Sequence, residues 1–319
     1  MHALVFALLL AALPLATAGQ SYPFKPVRVI VPYPAGSTPD IVGRTLSAKL
    51  QVALGQPFVV ENRAGAGGNI GAEAVAKASP DGYTLLIGGN GPVAINKMLY
   101  KNLSFDSARD LTPVSLLASA PQMLVVHPSV GADSFQQFVA YVQRHPGRLS
   151  YGSVGGGSAS HLTMELLKSD AKAFIVHIPY RGFPPAVTDM LAGNIQTMFA
   201  IIPAVLPQVK AGKMKGLAVT GLQRSAMAPE VPSVAELGFP QLESLAWIGL
   251  LVTAGAPQEA VNRLGAETIK AMHAPDTRET LSKQGFDVIG GTAAEFAGWI
   301  QAESAKWAAV IRASGATVD

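Results

Sequence analysis

Four short loops rich in glycine, serine and threonine hold most of the chemistry-bearing groups of this 319-residue chain. They run from Tyr33 to Thr38, Gly65 to Asn69, Gly88 to Gly91 (with Asn90 as its polar side chain) and Gly155 to Ser160. Each joins the end of an apolar, strand-like run to the start of a helical pattern. In an open α/β sheet that edge is where ligands settle. The free N–H groups and positive dipole end of a helix start suit an anion. One such loop is explained equally well by capping and turn chemistry. Four of them point to a shared anion-binding cleft. Arg181, after Pro179-Tyr180 at a strand end, offers either a bidentate fork to a carboxylate or a plain surface charge. Asp189, on the next helix, reads as an exposed acid that would hold a water or a backbone amide rather than an anion.

Enzymatic readings fit less well. Ser158, in Gly156-Gly157-Ser158-Ala159-Ser160, comes near the G-x-S-x-G nucleophile elbow, but Ser160 occupies the last glycine position. His161 lies three residues on, along the same helix, whereas a triad base comes from a separate loop. A secreted serine hydrolase using Ser158 is therefore the competing class. Gly65 to Gly71 has the context of a dinucleotide loop but the spacing G-x-G-x-x-x-G, after the second strand rather than the first. The six histidines form no compact ligand pair, and there is no cysteine. No cofactor and no metal are expected. His161 is either a packing and capping residue or a cleft contact.

These loops are positioned by alternating strands and helices, the pattern of an α/β protein with mostly parallel sheets. The residues predict strands at 27–31, 58–61 and 84–87, with helices from about Asp40 to Gly55 and about Ile70 to Ala78. The pattern then restarts with helix 134–144, strand 149–151, a helix through Leu162 and Leu166, and strand 174–178. Helix 186–191, strand 195–199, helix 205–211 and strand 216–219 follow. An amphipathic helix from about Ala293 to Ala313 closes the chain. Met123 to Val126 and Trp247 to Val252 read as two crossovers that make a hinge. The expected organisation is a first lobe of residues 19–122 and 247–319, with a second lobe of residues 123–246 inserted between its parts.

Residues Ala3 to Leu15 form an almost unbroken apolar run followed by Ala16-Thr17-Ala18, the pattern of an export signal cut after Ala18. The run is too short to span a bilayer. With 49% hydrophobic and 14% charged residues the chain is globular rather than disordered, and some 300 residues are enough for two cores. The net charge of +3 is unclustered, so nucleic acid is not expected as a partner.

Several motifs in one order resemble a known family. They are Pro32-Tyr33-Pro34-Ala35-Gly36-Ser37-Thr38-Pro39-Asp40, Glu61-Asn62-Arg63 with Gly65 to Gly71, and Pro80-Asp81-Gly82-Tyr83-Thr84-Leu85. Tyr151-Gly152-Ser153 through Gly157-Ser158 to His161-Leu162, Pro179-Tyr180-Arg181-Gly182, Val209 to Lys213 and Lys306-Trp307 continue the match. The chain is similar to the Bug family of extracytoplasmic solute receptors of tripartite tricarboxylate transporters. The resemblance implies a type II periplasmic-binding-protein fold, two doubly wound sheets joined by a two-strand hinge. It also implies a monomeric periplasmic receptor that delivers a small carboxylate to the membrane components of such a transporter, or that serves a signalling kinase as ligand sensor. The carboxylate would be held by main-chain amides and waters rather than an arginine clamp. Carried over, this marks Tyr33, Ala35, Ser37 and Thr38 in the first lobe, and Ser153, Gly157, Ser158, His161 and Asp189 in the second. Ser37 replaces a second glycine usual in the first loop. Phe183-Pro184 stands where small residues are common, which narrows one wall of the pocket.

Overall fold

The computed structural model describes residues 21–318; the expected cleavage after Ala18 lies outside them. In chain order the elements are β1 (Val27–Val31), α1 (Thr38–Leu54), β2 (Phe58–Asn62), α2 (Asn69–Ala76) and β3 (Thr84–Gly89). There follow α3 (Asn96–Leu99), α4 (Ser107–Asp110), β4 (Leu111–Val126), α5 (Phe135–Arg144), β5 (Ser150–Ser153) and α6 (Ala159–Ala171). Next come β6 (Val176–Pro179), α7 (Phe183–Leu191), β7 (Thr197–Ile201), α8 (Ile202–Lys210) and β8 (Lys215–Val219). The chain ends with β9 (Leu245–Thr253), α9 (Gln258–His273), α10 (Pro275–Lys283), β10 (Asp287–Val288) and α11 (Ala293–Ser314).

Local chemistry sets several of these boundaries. The β-branched run of β1 is buried except at Arg28, as suits a central strand covered on both faces. Gly55 ends α1 in the left-handed region at φ 69°, its N–H returning to Gln51 O. Thr292 and Glu295 close α11 at its start with a reciprocal capping box.

Two sheets result. In the first, β2, β1 and β3 run parallel, and β9 lies antiparallel between β3 and β4. In the second, β6, β5 and β7 run parallel, while β4 pairs antiparallel with β7 and β8. One strand belongs to both: residues 111–121 of β4 pair with β9, and residues 122–126 pair with β7. The molecule is thus a two-lobed α/β protein, and β4 is the through-strand between its lobes. The early half of β4 was not expected from the sequence, which marks a strand only from Met123.

A small buried polar network sits where the lobes join. Gln122 and Thr220 exchange bonds, Gln122 N to Thr220 Oγ1 (2.8 Å) and Thr220 N to Gln122 O (2.8 Å). Ser244 N donates to Thr220 O at 3.1 Å, and Gln122 Nε2 donates to Thr163 Oγ1 at 2.8 Å. The hydroxyls of Thr163 and Ser244 are 2.6 Å apart. All four residues are buried, so each polar atom needs the partner it has.

The closing helix is anchored by an acid. Glu303 Oε2 accepts from Trp247 Nε1 (3.0 Å), Trp307 Nε1 (2.9 Å) and Asn90 Nδ2 (3.3 Å). This pins α11 to the start of β9 and the end of β3. No helix among the described residues is long and apolar enough to cross a membrane.

Candidate functional site

The loops converge. Glycines mark the contacts, because a side chain at most of them would crowd a neighbouring loop. A β-carbon on Gly67, after β2, would lie 2.8 Å from Gly156 O in the loop after β5. One on Gly91 would lie 3.1 Å from Gly67 O and 3.2 Å from Gly157 O, and one on Gly68 would lie 3.6 Å from Pro32 Cβ. Tyr33 reaches the same place from the first loop, its hydroxyl 3.0 Å from where a β-carbon on Gly89 would stand. Loops of both sheets therefore meet at one junction.

Beyond β1, the first loop is shaped by Asp40. This buried carboxylate accepts from Gly36 N (2.9 Å), Arg44 Nε (3.0 Å) and Asn62 Nδ2 (2.9 Å). Asn62 Nδ2 also donates to Tyr33 O at 3.0 Å. Burial works against ionisation of Asp40, but the bonds from Arg44, Gly36 and Asn62 outweigh it and hold the carboxyl below its ordinary range. Ser37 is the N-cap of α1, yet its hydroxyl donates back to Pro34 O (2.6 Å) and does not cap the helix. The start of α1 at Thr38 is thus left without a side-chain cap, and Ala35 is exposed beside it. Burial raises the Tyr33 phenol well above its ordinary value, so it remains a neutral hydroxyl.

In the second lobe, Ser158 caps α6, accepting from His161 N at 3.3 Å, while its hydroxyl donates to Gly155 O at 2.6 Å. His161 Nδ1 accepts from Gly157 N at 3.1 Å. The imidazole thus faces a backbone amide instead of the Ser158 hydroxyl, and the nucleophile–base geometry weighed for Ser158 is not formed. Below the loop, His161 stacks on His177 (centroids 4.2 Å apart) and His177 stacks on Tyr151 (4.7 Å). Ser153, fully buried, shares a 2.7 Å bond with His177 Nε2. Burial, with Lys168 nearby, lowers His161 to about 4. Burial first, then His161, lowers His177 to about 3. Both rings are neutral at neutral pH, and a His161 that accepts at Nδ1 carries its proton on Nε2.

Asp189 accepts from Tyr180 OH (2.7 Å) and Asn194 Nδ2 (3.1 Å), and these bonds lower its carboxyl below the ordinary range. It orients a tyrosine at the end of β6. Arg181 is exposed and makes no side-chain hydrogen bond or ion pair among the described residues.

Two sequence expectations need correcting. Gly88 and Gly89 belong to β3, so that loop begins only at Asn90. The Asn90 amide is itself engaged on both sides, its Oδ1 accepting from Trp247 N (3.0 Å) and its Nδ2 donating to Leu245 O (3.0 Å). The Asn90 side chain braces β9, both of its amide hydrogens being committed to Leu245 O and Glu303 Oε2.

The sequence reading missed Asn96. It is fully buried, donates to Gly67 O (3.1 Å) and Asn69 Oδ1 (2.6 Å), and turns its Oδ1 toward Gly157. It sits in an apolar stretch whose spacing carries no signal for it. His177 was likewise set aside as one of six scattered histidines. Only the fold brings it under the loop.

The family model described as the tripartite tricarboxylate transporter family receptor matches residues 42–316. Protein BugT of Bordetella pertussis is 36% identical over 310 residues, covering 95% of each chain. Among solved structures, Rpa4515 of R. palustris with adipate superposes with a TM-score of 0.85 at 33% identity, covering 93% of this chain and 99% of that one. MatC from Rhodopseudomonas palustris with bound malate gives 0.83 at 31% identity, covering 91% and 100%.

Proposed function

The chain belongs to the tripartite tricarboxylate transporter family of periplasmic receptors, and from that premise we propose that it captures a small organic acid between its lobes. The acid is then delivered to the membrane components of a tripartite transporter. The observation that carries this reading is the meeting of loops from both sheets at Gly67, Gly91, Gly156 and Gly157.

Backbone amides are the natural donors there. The first turns of α1 and α6 begin in these loops, and N-terminal N–H groups have no partner within their helix. A carboxylate set against them gains several charge-assisted bonds and the favourable end of two helix dipoles. Tyr33, Ser37 and Thr38 would line the first side, with Ala35 close by. Gly157, Ser158 and His161 would form the second, backed by Ser153 and by Tyr180 on Asp189. Related receptors of known structure are described with adipate and with malate, which supports a dicarboxylate of four to six carbons. The protein acts as a monomer, without cofactor, after export and cleavage following Ala18.

The test is a thermal-shift screen of the purified protein against a library of organic acids, followed by calorimetry on the strongest. A ligand bound only by the native state raises the melting temperature. One or more small acids should do so in a saturable way, without being consumed. Turnover of activated esters that is lost in Ser158→Ala would overturn the reading in favour of a hydrolase.

A further inference from the structure

We propose that Val318 is a positioning residue for the binding site. The segment after α11 acts as a strap that holds the glycine loop between β5 and α6 in the shape that presents its amides. The proposal rests on the receptor reading above and deepens it by naming what controls that loop.

The loop contains three glycines in a row, Gly155-Gly156-Gly157, with φ at 116° for the first and 76° for the third. Glycine has the widest choice of backbone conformations, so such a run takes its shape from what it leans on. Gly157 leans on Asn96 and Leu99 of the first lobe, and Gly156 turns its carbonyl toward Gly67. Val318 covers the Cα of Gly156. A β-carbon there would lie 2.4 Å from Val318 Cγ1 and 3.2 Å from Val318 Cγ2. Gly156 lacks the left-handed φ of its neighbours, so occupied space, and not the backbone, demands glycine at this position.

Val318 is held in turn by the helix it follows. Gly315, at φ 65°, ends α11 with its N–H returned to Ile311 O, and Ala316 N donates to Ser314 Oγ at 3.3 Å. Ala316 and Val318 then lie partly buried against an apolar cluster that contains Trp307 and Ile311 of α11 and Leu162 of α6. Glu303 ties the same helix to Trp247 and Asn90 of the first lobe. The strap therefore connects the first lobe to the loop of the second. Without it the loop would be ordered only when an anion binds, and that loss of freedom lowers affinity.

The experiment compares wild type with Val318→Ala, Val318→Thr, Gly156→Ala and the double variant Gly156→Ala with Val318→Ala. Three properties are read: exchange of the Gly157 amide hydrogen, which is bonded to His161 Nδ1, calorimetry with adipate and with malate, and a melting curve. Val318→Ala takes two methyls off Gly156, so the Gly157 amide should exchange faster while α5 keeps its protection. Affinity should fall about fourfold. Val318→Thr keeps the shape and should restore what Val318→Ala loses. Gly156→Ala should weaken binding at least about tenfold. The double variant should recover most of that, because it leaves only Val318 Cβ, 3.4 Å from the added methyl. Should Gly156→Ala fail to fold, Val318→Ala decides the matter. Unchanged exchange in Val318→Ala would overturn the proposal, as would faster exchange with unchanged affinity. So would a folded double variant that binds no better than Gly156→Ala, and in each case the receptor reading would survive. If neither acid binds the wild type, the dicarboxylate reading fails, and exchange in Val318→Ala still decides whether the strap holds the loop.

Discussion

Asn96 and Gly157 meet across the two sheets so closely that a β-carbon on Gly157 would lie 2.1 Å from Asn96 Oδ1. Asn96 belongs to the first lobe and Gly157 to the glycine-rich loop before α6 in the second, and Gly157 also holds φ at 76°. Two independent demands, a left-handed backbone and an absent side chain, fall on one residue.

Gly157→Ala should therefore disturb both the loop and the fit between lobes. The backbone strain alone costs about 1 kcal/mol, and the collision adds to it. The expected result is at least a tenfold loss in ligand affinity, with a more open molecule in small-angle scattering. Binding that matches wild type would show that the lobes close without this contact.

The hydroxyl and the cation flanking the loop should weigh differently. Ser158→Ala removes the cap of α6, worth about 1 kcal/mol of stability, and one hydroxyl worth about 1 kcal/mol to a bound anion, so affinity should fall about fivefold. Ser158→Phe should abolish binding by filling the junction. Arg181→Ala should cost less than the loss of a buried bidentate pair would, because the side chain is exposed. Calorimetry on the three variants ranks them, and a dominant Arg181 would mean an arginine clamp.

Glu303→Ala should be among the more destabilising single changes. It strands the indole N–H groups of Trp247 and Trp307 and one of the two Asn90 amide hydrogens, each unpartnered buried donor costing about 1–3 kcal/mol. Urea unfolding should show a markedly lower midpoint. Glu303→Gln, which keeps an acceptor, should lose less.

Acid should loosen the second lobe. His161 and His177 are held below their ordinary value, to about 4 and about 3. The unfolded chain then binds more protons between roughly pH 6.5 and those values, so stability is full above about pH 6.5 and falls as pH drops. A protonated His161 would also turn a donor toward Gly157 N–H. Melting temperature should decline from pH 7 to pH 4, and His161→Asn should flatten part of that decline. A profile unchanged by the substitution would place the titration elsewhere.

Much of the fold was legible because the strands of the first lobe are short β-branched runs with clear stops. The misreadings share a cause. α1, α7 and α8 were expected to begin near Asp40, Ala186 and Val205, but they begin at Thr38, Phe183 and Ile202. Each carries proline in its first turn (Pro39, Pro184 and Pro203), where the ring's fixed φ and missing N–H suit a helix start. Reading proline as loop shortened all three. In β4, Pro113, Ser115, Ser119 and Pro121 break the apolar pattern, and bulges fall after Pro113 and Leu116, which hid its first half. In the site, the glycine loops were visible as motifs. Asn96, His177 and the bracing role of Asn90 depend on long-range packing that spacing does not encode.

The unbroken passage of β4 from one sheet to the other bears on how such a receptor can be engineered. A strand hydrogen-bonded on either side of Pro121 and Gln122 has no free swivel, so movement must be spread as twist over several residues, as in a leaf spring. A reporter fluorophore placed on the rim of the cleft would sense that bending as a graded optical signal. A cut within β4 would sever the spring, whereas new chain ends opened in an exposed loop such as that around Gly131 would leave it whole.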